Sequence, residues 1–136
     1  NWDLVFPRIA DVLAPGAVFA IVERREAPHA WSAELGELIG RYSTNQDYVP
    51  FDLDTGLEER GHFEATGSHE TGPVAFTQAR EDFIACIHSR NGFSRTRMGV
   101  RAQIFDAAFR DLLMRHGIGD ELTFDISAEI TWGHPR

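Results

Sequence analysis

The chain has 136 residues, and 43% of them are hydrophobic, which is enough to form the core of one domain. The 21 acidic residues outnumber the 13 basic ones, all of them Arg, and the formal net charge of −8 disfavours nucleic acid as a partner. The single cysteine, Cys86, cannot form an internal disulfide, and no apolar run approaches the roughly 20 residues of a membrane span, so we expect a cytoplasmic protein with no membrane partner.

Three elements are predicted in the first third of the chain. Apolar residues recur at helical spacing from Leu4 to Leu13, and Ala14-Pro15-Gly16 predicts the end of that helix. The run from Ala17 to Val22 is continuously apolar, which is typical of a parallel strand that helices cover on both faces. A short helix is predicted to begin near Ser32, and Tyr42 to Gly61 is predicted to be irregular.

The middle of the chain is predicted to be extended and then helical. The segment Gly61 to Thr77 contains glycines and Pro73 among apolar residues, which predicts an extended stretch with a bend or bulge. Thr77 is predicted to cap a helix that has Phe83, Ile84, Ile87 and His88 on one side, with Cys86 as a small buried filler. The loop Ser89 to Gly99 is expected to follow.

Two elements are predicted to complete the chain. A helix is predicted from Ala102 to His116, with Ile104, Phe105 and Phe109 in its apolar stripe. Strict alternation of apolar and polar residues from Leu122 to Trp132 predicts a half-buried strand. This order of elements indicates one layered α/β or α+β domain.

Three segments carry a family resemblance. The run PRIADVLAPGAVFAIV (Pro7 to Val22) resembles the helix, Leu-x-Pro-Gly-Gly turn and strand that follow the fourth sheet strand in class I S-adenosylmethionine-dependent methyltransferases, with Ala17 in place of the second glycine. The runs HETGPVAFTQAREDFIACIHSRNGFSRTRMG (His69 to Gly99) and ITWGHP (Ile130 to Pro135) are similar to the tail of a small-molecule methyltransferase subgroup. In that subgroup a final antiparallel strand ends in Trp-Gly-x-Pro.

The resemblance implies the C-terminal half of a Rossmann-like methyltransferase fold, so residues 1–136 would form a single partial domain. It implies a mixed sheet flanked by helices, in which Leu122 to Trp132 runs antiparallel between the strand at Ala17 and the segment Phe63 to Phe76. The family holds S-adenosylmethionine with a glycine-rich loop after its first strand and an acidic residue at the end of its second. Neither element occurs in this chain, so the resemblance implies no cofactor-binding residues here and an inactive isolated chain.

The same implication leaves the Ala17 to Val22 strand with an unpaired apolar edge. We therefore expect a homo-oligomer or pairing with a missing N-terminal half. The chain begins with Asn1 rather than Met, and we expect that an upstream segment has been removed.

Candidate site residues are few. His62, His69 and His88 are weak candidates for a catalytic base, each with a structural role as the alternative. Five aromatic residues are predicted to line an apolar pocket for a small-molecule acceptor, with core packing as the alternative. They are Trp2, Trp31, Tyr42, Tyr48 and Phe51.

The loop HSRNGFSRTR contains Phe93 and several arginines, and it could hold a carboxylate or a phosphate of the acceptor, with a solvated loop as the alternative. Its arginines, with one that follows, are Arg90, Arg95, Arg97 and Arg101, and we assign Arg95 and Arg97 to substrate binding. No metal site is predicted. The acidic run that begins at Asp52 departs from the spacing of a calcium loop and is interpreted as a charged turn.

Two hypotheses follow from the sequence. The first is the C-terminal part of a methyltransferase that acts on a small organic acceptor. The second is a non-catalytic α+β domain that binds a ligand or serves as an accessory subunit. A Gly-x-Gly-x-Gly turn encoded upstream of Asn1 would favour the first.

Overall fold

A computed structural model describes residues 1–49 and 52–136. The helices are α1 (Trp2–Val12), α2 (Ser32–Tyr42), α3 (Leu53–Glu59), α4 (Arg80–Ile87), α5 (Arg95–Met98) and α6 (Arg101–Arg115). The strands are β1 (Phe19–Glu26), β2 (Phe63–Glu70), β3 (Val74–Ala79) and β4 (Glu121–Pro135). The chain divides into a first unit of Asn1–Arg25, Val49–Val74 and Ile126–Arg136, and a second unit of Glu26–Tyr48 and Ala75–Asp125.

In the first unit β4 lies between β1 and β2. The β2–β4 pair is antiparallel, from Phe63 opposite Pro135 to Glu70 opposite Glu129, with a register shift between Ala65 and Gly67. Strand β1 is also antiparallel to β4. The Ala17 carbonyl, just before β1, lies 3.2 Å from His134 Nδ1 near the end of β4, whereas Arg25 near the end of β1 lies beside Glu129, which is earlier in β4. The predicted position and direction of the final strand are confirmed.

The described strands form an open antiparallel sheet, so the prediction of a mixed sheet is wrong for the described residues. In the described sheet β1 has a single neighbour, β4. A mixed sheet would require a further strand that pairs parallel to β1 along its other edge. In the second unit β3 pairs with the first residues of β4, where Thr77 and Thr123 join their hydroxyl groups at 2.7 Å.

The core of the first unit covers one face of β1. Phe6 of α1 and Leu57 of α3 pack with Ile21 and Phe63, while Val22 on the opposite face is 64% exposed. The prediction that helices cover both faces of this strand is therefore wrong for the described chain. The strand also begins at Phe19 rather than Ala17 and extends to Glu26. Near its C-terminal end, Arg25 forms an ion pair with Glu129 of β4.

The core of the second unit is built mostly from aromatic rings. Phe83 of α4, Phe109 of α6 and Phe124 of β4 pack edge to face around Trp31 and His29. Leu122 and Phe124 are buried while their neighbours Thr123 and Asp125 are exposed, which confirms the half-buried pattern for this part of β4.

Helices α2 and α6 pack against each other and run antiparallel. Glu34, in the first turn of α2, accepts hydrogen bonds from Arg115 at 2.9 Å, in the last turn of α6, and from His116 at 2.6 Å, just beyond it. At the other end, Arg101 of α6 donates to the Arg41 carbonyl of α2 at 3.0 Å. Gly117 follows α6 and its C-cap His116 with a φ of 74°, which confirms the predicted end of this helix near His116.

Several local predictions are wrong. The irregular stretch contains α3, which Asp52 caps by accepting a hydrogen bond from the Thr55 amide at 2.9 Å. Thr77 lies within β3 and caps no helix, because the N-cap of α4 is Ala79. Cys86 is exposed instead of buried, because the buried face of α4 consists of its Phe and Ile residues.

Gly133, in the Trp-Gly-x-Pro segment, allows β4 to approach β2 closely. A Cβ atom there would overlap the Glu64 carbonyl, which is backbone and cannot turn aside. We expect Gly133→Ala to lower the free energy of unfolding by about 1–3 kcal/mol, the usual cost of overpacking. Urea denaturation measures the effect, and Gly119→Ala, which would meet no atom within 4 Å, is the matched control. Equal losses for the two variants would contradict this account of the segment.

Candidate functional site

A cavity of about 480 Å³ opens in the second unit, at the C-terminal end of α2 and the turn that follows α4. This volume lies within the range of about 300–1,000 Å³ typical of small-molecule sites. Its walls combine apolar side chains with amide, hydroxyl and guanidinium groups. The lining residues are Ile39, Gly40, Ser43, Asn45, Gln46, Tyr48, Arg90, Asn91 and Phe93.

Two chain segments that form the cavity are joined by hydrogen bonds. The Thr44 amide and hydroxyl donate to the Gly92 carbonyl at 3.0 Å and 2.9 Å. Gly92 has a φ of 90°, and a Cβ atom there would lie 2.8 Å from the Ser43 hydroxyl, so a glycine is required for this approach. The segment after α2 and the turn after α4 are therefore fixed against each other.

A buried polar network lies beneath the turn. The side chains of His88 and Asp106 are each only 7% exposed, and His88 Nε2 lies 2.6 Å from Asp106 Oδ1. His88 Nδ1 lies 2.7 Å from the Phe93 carbonyl, and Arg95 donates to the second Asp106 oxygen at 2.7 Å. This network connects α4 and α6 to the turn that carries Arg90 and Phe93.

Acceptor groups lie at both ring nitrogens of His88. The Phe93 carbonyl is beside Nδ1 and the Asp106 carboxylate is beside Nε2, so groups of the protein engage both nitrogens. Burial opposes the charge on Asp106, but hydrogen bonds from His88 and Arg95 outweigh it and hold the pKa of Asp106 below its usual value. A catalytic role for His88 stays a prediction.

The other two candidate histidines belong to the first unit. His62 Nε2 lies 2.7 Å from Asp3, and this hydrogen bond lowers the pKa of the Asp3 carboxyl. The His62 ring stacks on Phe6 with centroids 6.2 Å apart. His69 is exposed on β2, opposite Ile130 of β4. A catalytic role for either of them stays a prediction.

The aromatic candidates have different surroundings. Tyr48 lines the cavity and is 64% exposed. Trp31 is buried in the second-unit core, where its ring stacks on His29 at a centroid distance of 4.2 Å. Tyr42 packs edge-on against Phe105, and Trp2 belongs to the first unit, where it contacts Phe6. Phe51 lies outside the described residues.

The arginines of the predicted anion-binding loop are also separated. Arg90 lines the cavity, whereas Arg95 binds Asp106 and Arg97 is an exposed residue of α5. Arg101 lies with its guanidinium carbon 5.8 Å from the centre of the Tyr42 ring. Neither Arg95 nor Arg97, the two arginines assigned to substrate binding, is among the residues that line the cavity.

Several functional residues were missed at the sequence level. Asn45, Gln46 and Asn91 line the cavity, and a signal for the first two existed in the polar run Ser43-Thr44-Asn45-Gln46-Asp47 between α2 and Tyr48. The buried face of α6 includes Asp106, whereas Ile104, which was predicted to belong to the apolar stripe, is 53% exposed. The Asp106 carboxylate can be buried because His88 and Arg95 satisfy it with hydrogen bonds. Asp106 is spaced from Ala102 and Phe109 as a member of their face, which was its signal.

Within residues 1–49 and 52–136, no three His, Cys, Asp or Glu side chains converge as a metal site. No helix in the described part of the chain has both the length and the apolar character to cross a membrane. Comparison with known proteins gives no assignment: no family model, no curated protein and no solved structure matches this chain.

The His88–Asp106 network should stabilise the fold. We expect Asp106→Asn to lower the free energy of unfolding by about 1–3 kcal/mol, because it leaves the buried His88 ring and the exposed Arg95 guanidinium without their charged acceptor. Urea denaturation at neutral pH measures the loss. Asp111→Asn, an exposed carboxylate on the same helix, is the matched control and should change stability by less than about 0.5 kcal/mol.

The pH dependence of this difference has a defined sign. Because folding lowers the pKa of Asp106, its stabilisation is fully present above the ordinary value of 3.8 and is lost as the pH falls through the lower value of the folded state. The difference between wild type and Asp106→Asn should therefore persist at about pH 5 and shrink only in stronger acid. A difference that disappears between neutral pH and about pH 5 would contradict the assigned charge on Asp106.

Proposed function

We propose that this chain is the C-terminal part of an S-adenosylmethionine-dependent methyltransferase that acts on a small organic acceptor. The observation that carries the proposal is the position of β4, which runs antiparallel to β2 and lies between β1 and β2. Of the three strands, β1 and β4 overlap the runs Pro7 to Val22 and Ile130 to Pro135, whose sequences resemble the methyltransferase family. Sequence resemblance and strand order are independent features, and both favour the same half of a class I methyltransferase fold.

The Trp-Gly-x-Pro segment adds physical support. In β4 the pair Trp132-Gly133 lies against β2, where Gly133 leaves room for the Glu64 carbonyl and Trp132 covers Gly67. The absence of a side chain at Gly67 leaves space for the Trp132 ring, and the absence of one at Gly133 leaves space for the β2 backbone. The motif that carries the resemblance therefore has a packing reason in this fold.

The described residues do not fit S-adenosylmethionine. Strand β1 is the one described strand that a loop connects to a following helix, and this loop, Ala27-Pro28-His29-Ala30-Trp31, contains no glycine. Close approach of backbone to a ligand requires glycine, and Trp31, the N-cap of α2, makes no side-chain cap hydrogen bond. The proposal assigns the cofactor to another part of the parent protein, which would supply the methyl group.

The role proposed for this chain is to hold the acceptor. Methyl transfer is an in-line displacement, so much of its acceleration can come from aligning the acceptor with the methyl donor. Ile39, Tyr48 and Phe93 supply apolar contact for the acceptor, and the amides of Asn45 and Asn91 can orient its polar groups. No catalytic base is assigned, because a base is needed only where the acceptor atom carries a proton.

A non-catalytic ligand-binding or accessory domain is the second candidate. One observation favours it: the described residues form a cavity of about 480 Å³, which is a volume typical of small-molecule sites. The two candidates differ in what the parent protein must do with S-adenosylmethionine.

Calorimetry separates these candidates. We expect no saturable heat when S-adenosylmethionine is titrated into the isolated chain, because its glycines do not form a cofactor loop. The parent protein should bind the cofactor with micromolar affinity and transfer a labelled methyl group to an acceptor. Micromolar binding by the isolated chain would contradict the missing site, and a parent protein that does not bind the cofactor would favour the non-catalytic domain.

The proposal includes a partner for β1. In the described sheet this strand has a neighbour on one side only, and an unpaired strand edge with exposed Val18 and Val22 favours association. The proposed partner in the parent protein is its N-terminal half, and the isolated chain would instead form a homo-oligomer.

Light scattering of the isolated chain tests that association. We expect a dimer or larger species, and Val22→Lys should shift it toward the monomer, because a lysine on an edge strand opposes strand pairing. Val100→Lys, at a position that is also exposed but belongs to no strand, is the control. A monomeric wild-type chain would contradict the proposed role of the β1 edge.

A further inference from the structure

We propose that the cavity recognises the carboxylate of a small ligand with an apolar body, and that Arg90 is the residue that binds this carboxylate. The identification of the ligand as the methyl acceptor rests on the proposed function, whereas recognition of a carboxylate rests on the cavity itself. The inference depends on charge, on the rigidity of the turn that carries Arg90, and on the composition of the walls.

The charge at the cavity has the opposite sign to that of the protein. The chain has a formal net charge of −8, yet no Asp or Glu is among the described lining residues and Arg90 is the charged side chain there. Within residues 1–49 and 52–136, no hydrogen bond or ion pair joins the Arg90 guanidinium to another group. A cation at an apolar cavity without an internal counter-ion favours an anionic ligand.

Other arginines of the second unit show what Arg90 lacks. Arg110 binds Glu81 through two nitrogens at 2.7–3.0 Å, and Arg95 and Arg115 donate to Asp106 and Glu34. A guanidinium presents a planar fork of donors that matches a carboxylate. In a chain rich in carboxylates, Arg90 is placed where a ligand rather than the protein can supply that partner.

The turn that carries Arg90 is fixed before any ligand binds. The Arg90 carbonyl accepts from the Phe93 amide at 3.1 Å, and the Arg90 amide donates to the Ile87 carbonyl at 3.0 Å. His88 holds the Phe93 carbonyl, and Thr44 holds the carbonyl of Gly92. Binding therefore requires ordering of the Arg90 side chain but not of its backbone, which lowers the entropic cost of binding.

The walls specify the class of anion. A single guanidinium matches a singly charged carboxylate better than a phosphate monoester, which carries about −1.5 to −2 charges at neutral pH. Ile39, Tyr48 and Phe93 offer apolar surface for the rest of the ligand. We therefore assign the cavity to an aryl or alkyl monocarboxylate.

Ligand titration of the full 136-residue chain tests this assignment. The probe is 3-phenylpropionate, followed by NMR, and the uncharged 3-phenylpropanamide is the matched ligand control. We expect the acid to bind more tightly than the amide. Arg90→Gln should weaken binding of the acid about 10- to 100-fold and leave that of the amide unchanged, because it removes the charged hydrogen bonds alone.

Two protein variants serve as controls. Arg8→Gln removes an exposed arginine outside the cavity, on α1 of the first unit, and should leave the affinity for the acid unchanged. Arg90→Lys keeps the charge but not the planar fork, so we expect an intermediate loss. The midpoint of urea unfolding should be the same in the wild type and in Arg90→Gln, since Arg90 is exposed and its side chain has no partner among the described residues.

Four results would overturn the proposal. They are absence of binding by 3-phenylpropionate, equal affinity for the acid and the amide, equal weakening by Arg90→Gln and Arg8→Gln, and tighter binding of inorganic phosphate than of the acid. Failure of the methyltransferase proposal would appear separately, as a parent protein that does not bind S-adenosylmethionine. In that case carboxylate recognition would stand and only the description of the ligand as a methyl acceptor would be lost.

Discussion

The backbone hydrogen bonding of β4 is the constraint on which the rest of the structure depends. This strand pairs with β1, β2 and β3, so each of the other described strands takes its register from it. Along β4 the requirements change: Leu122 and Phe124 are buried apolar side chains, whereas Gly133 is buried because the β2 backbone approaches closely. A strand with neighbours on both sides cannot shift its register without losing both sets of hydrogen bonds.

The local order of the cavity depends on a second constraint, which is the satisfaction of the buried Asp106 carboxylate. An acidic side chain at 5% exposure is unfavourable unless it is paired, and here His88 and Arg95 supply its hydrogen bonds. The same His88 ring holds the Phe93 carbonyl, so the requirement of one buried charge fixes the turn that carries Arg90. The buried His88–Asp106 pair thus helps to position the turn that carries the exposed Arg90.

Much of the fold could be predicted from the sequence because its longest elements have clear periodicity. The helices α1, α2 and α6 and the alternating strand β4 were found, and the family resemblance added the position of β4 between its neighbours. Helix α3 was missed because its seven residues contain Gly56 and only two large apolar side chains. The exposed face of β1 was missed because an apolar run such as Ala17 to Val22 has the same sequence whether one face or both are covered.

The candidate site was harder to predict because it depends on contacts between distant residues. Tyr48 and Arg90 were recognised as residue types suited to ligand binding, but periodicity cannot indicate that Thr44 and Gly92 bond to each other. The arginines near α5 have similar sequence surroundings, and only the location of Asp106 separates Arg95 from Arg90. Which arginine pairs with a carboxylate is therefore determined by tertiary structure and cannot be predicted from the local sequence.

The cavity walls come from the end of α2, the segment after it and the turn after α4, and none of the described lining residues belongs to a strand. Ligand preference can therefore diverge among related chains by replacement of side chains in two short connections, while the hydrogen-bonded sheet keeps its sequence. Such a separation of recognition from folding allows new specificities to arise at little risk to the scaffold.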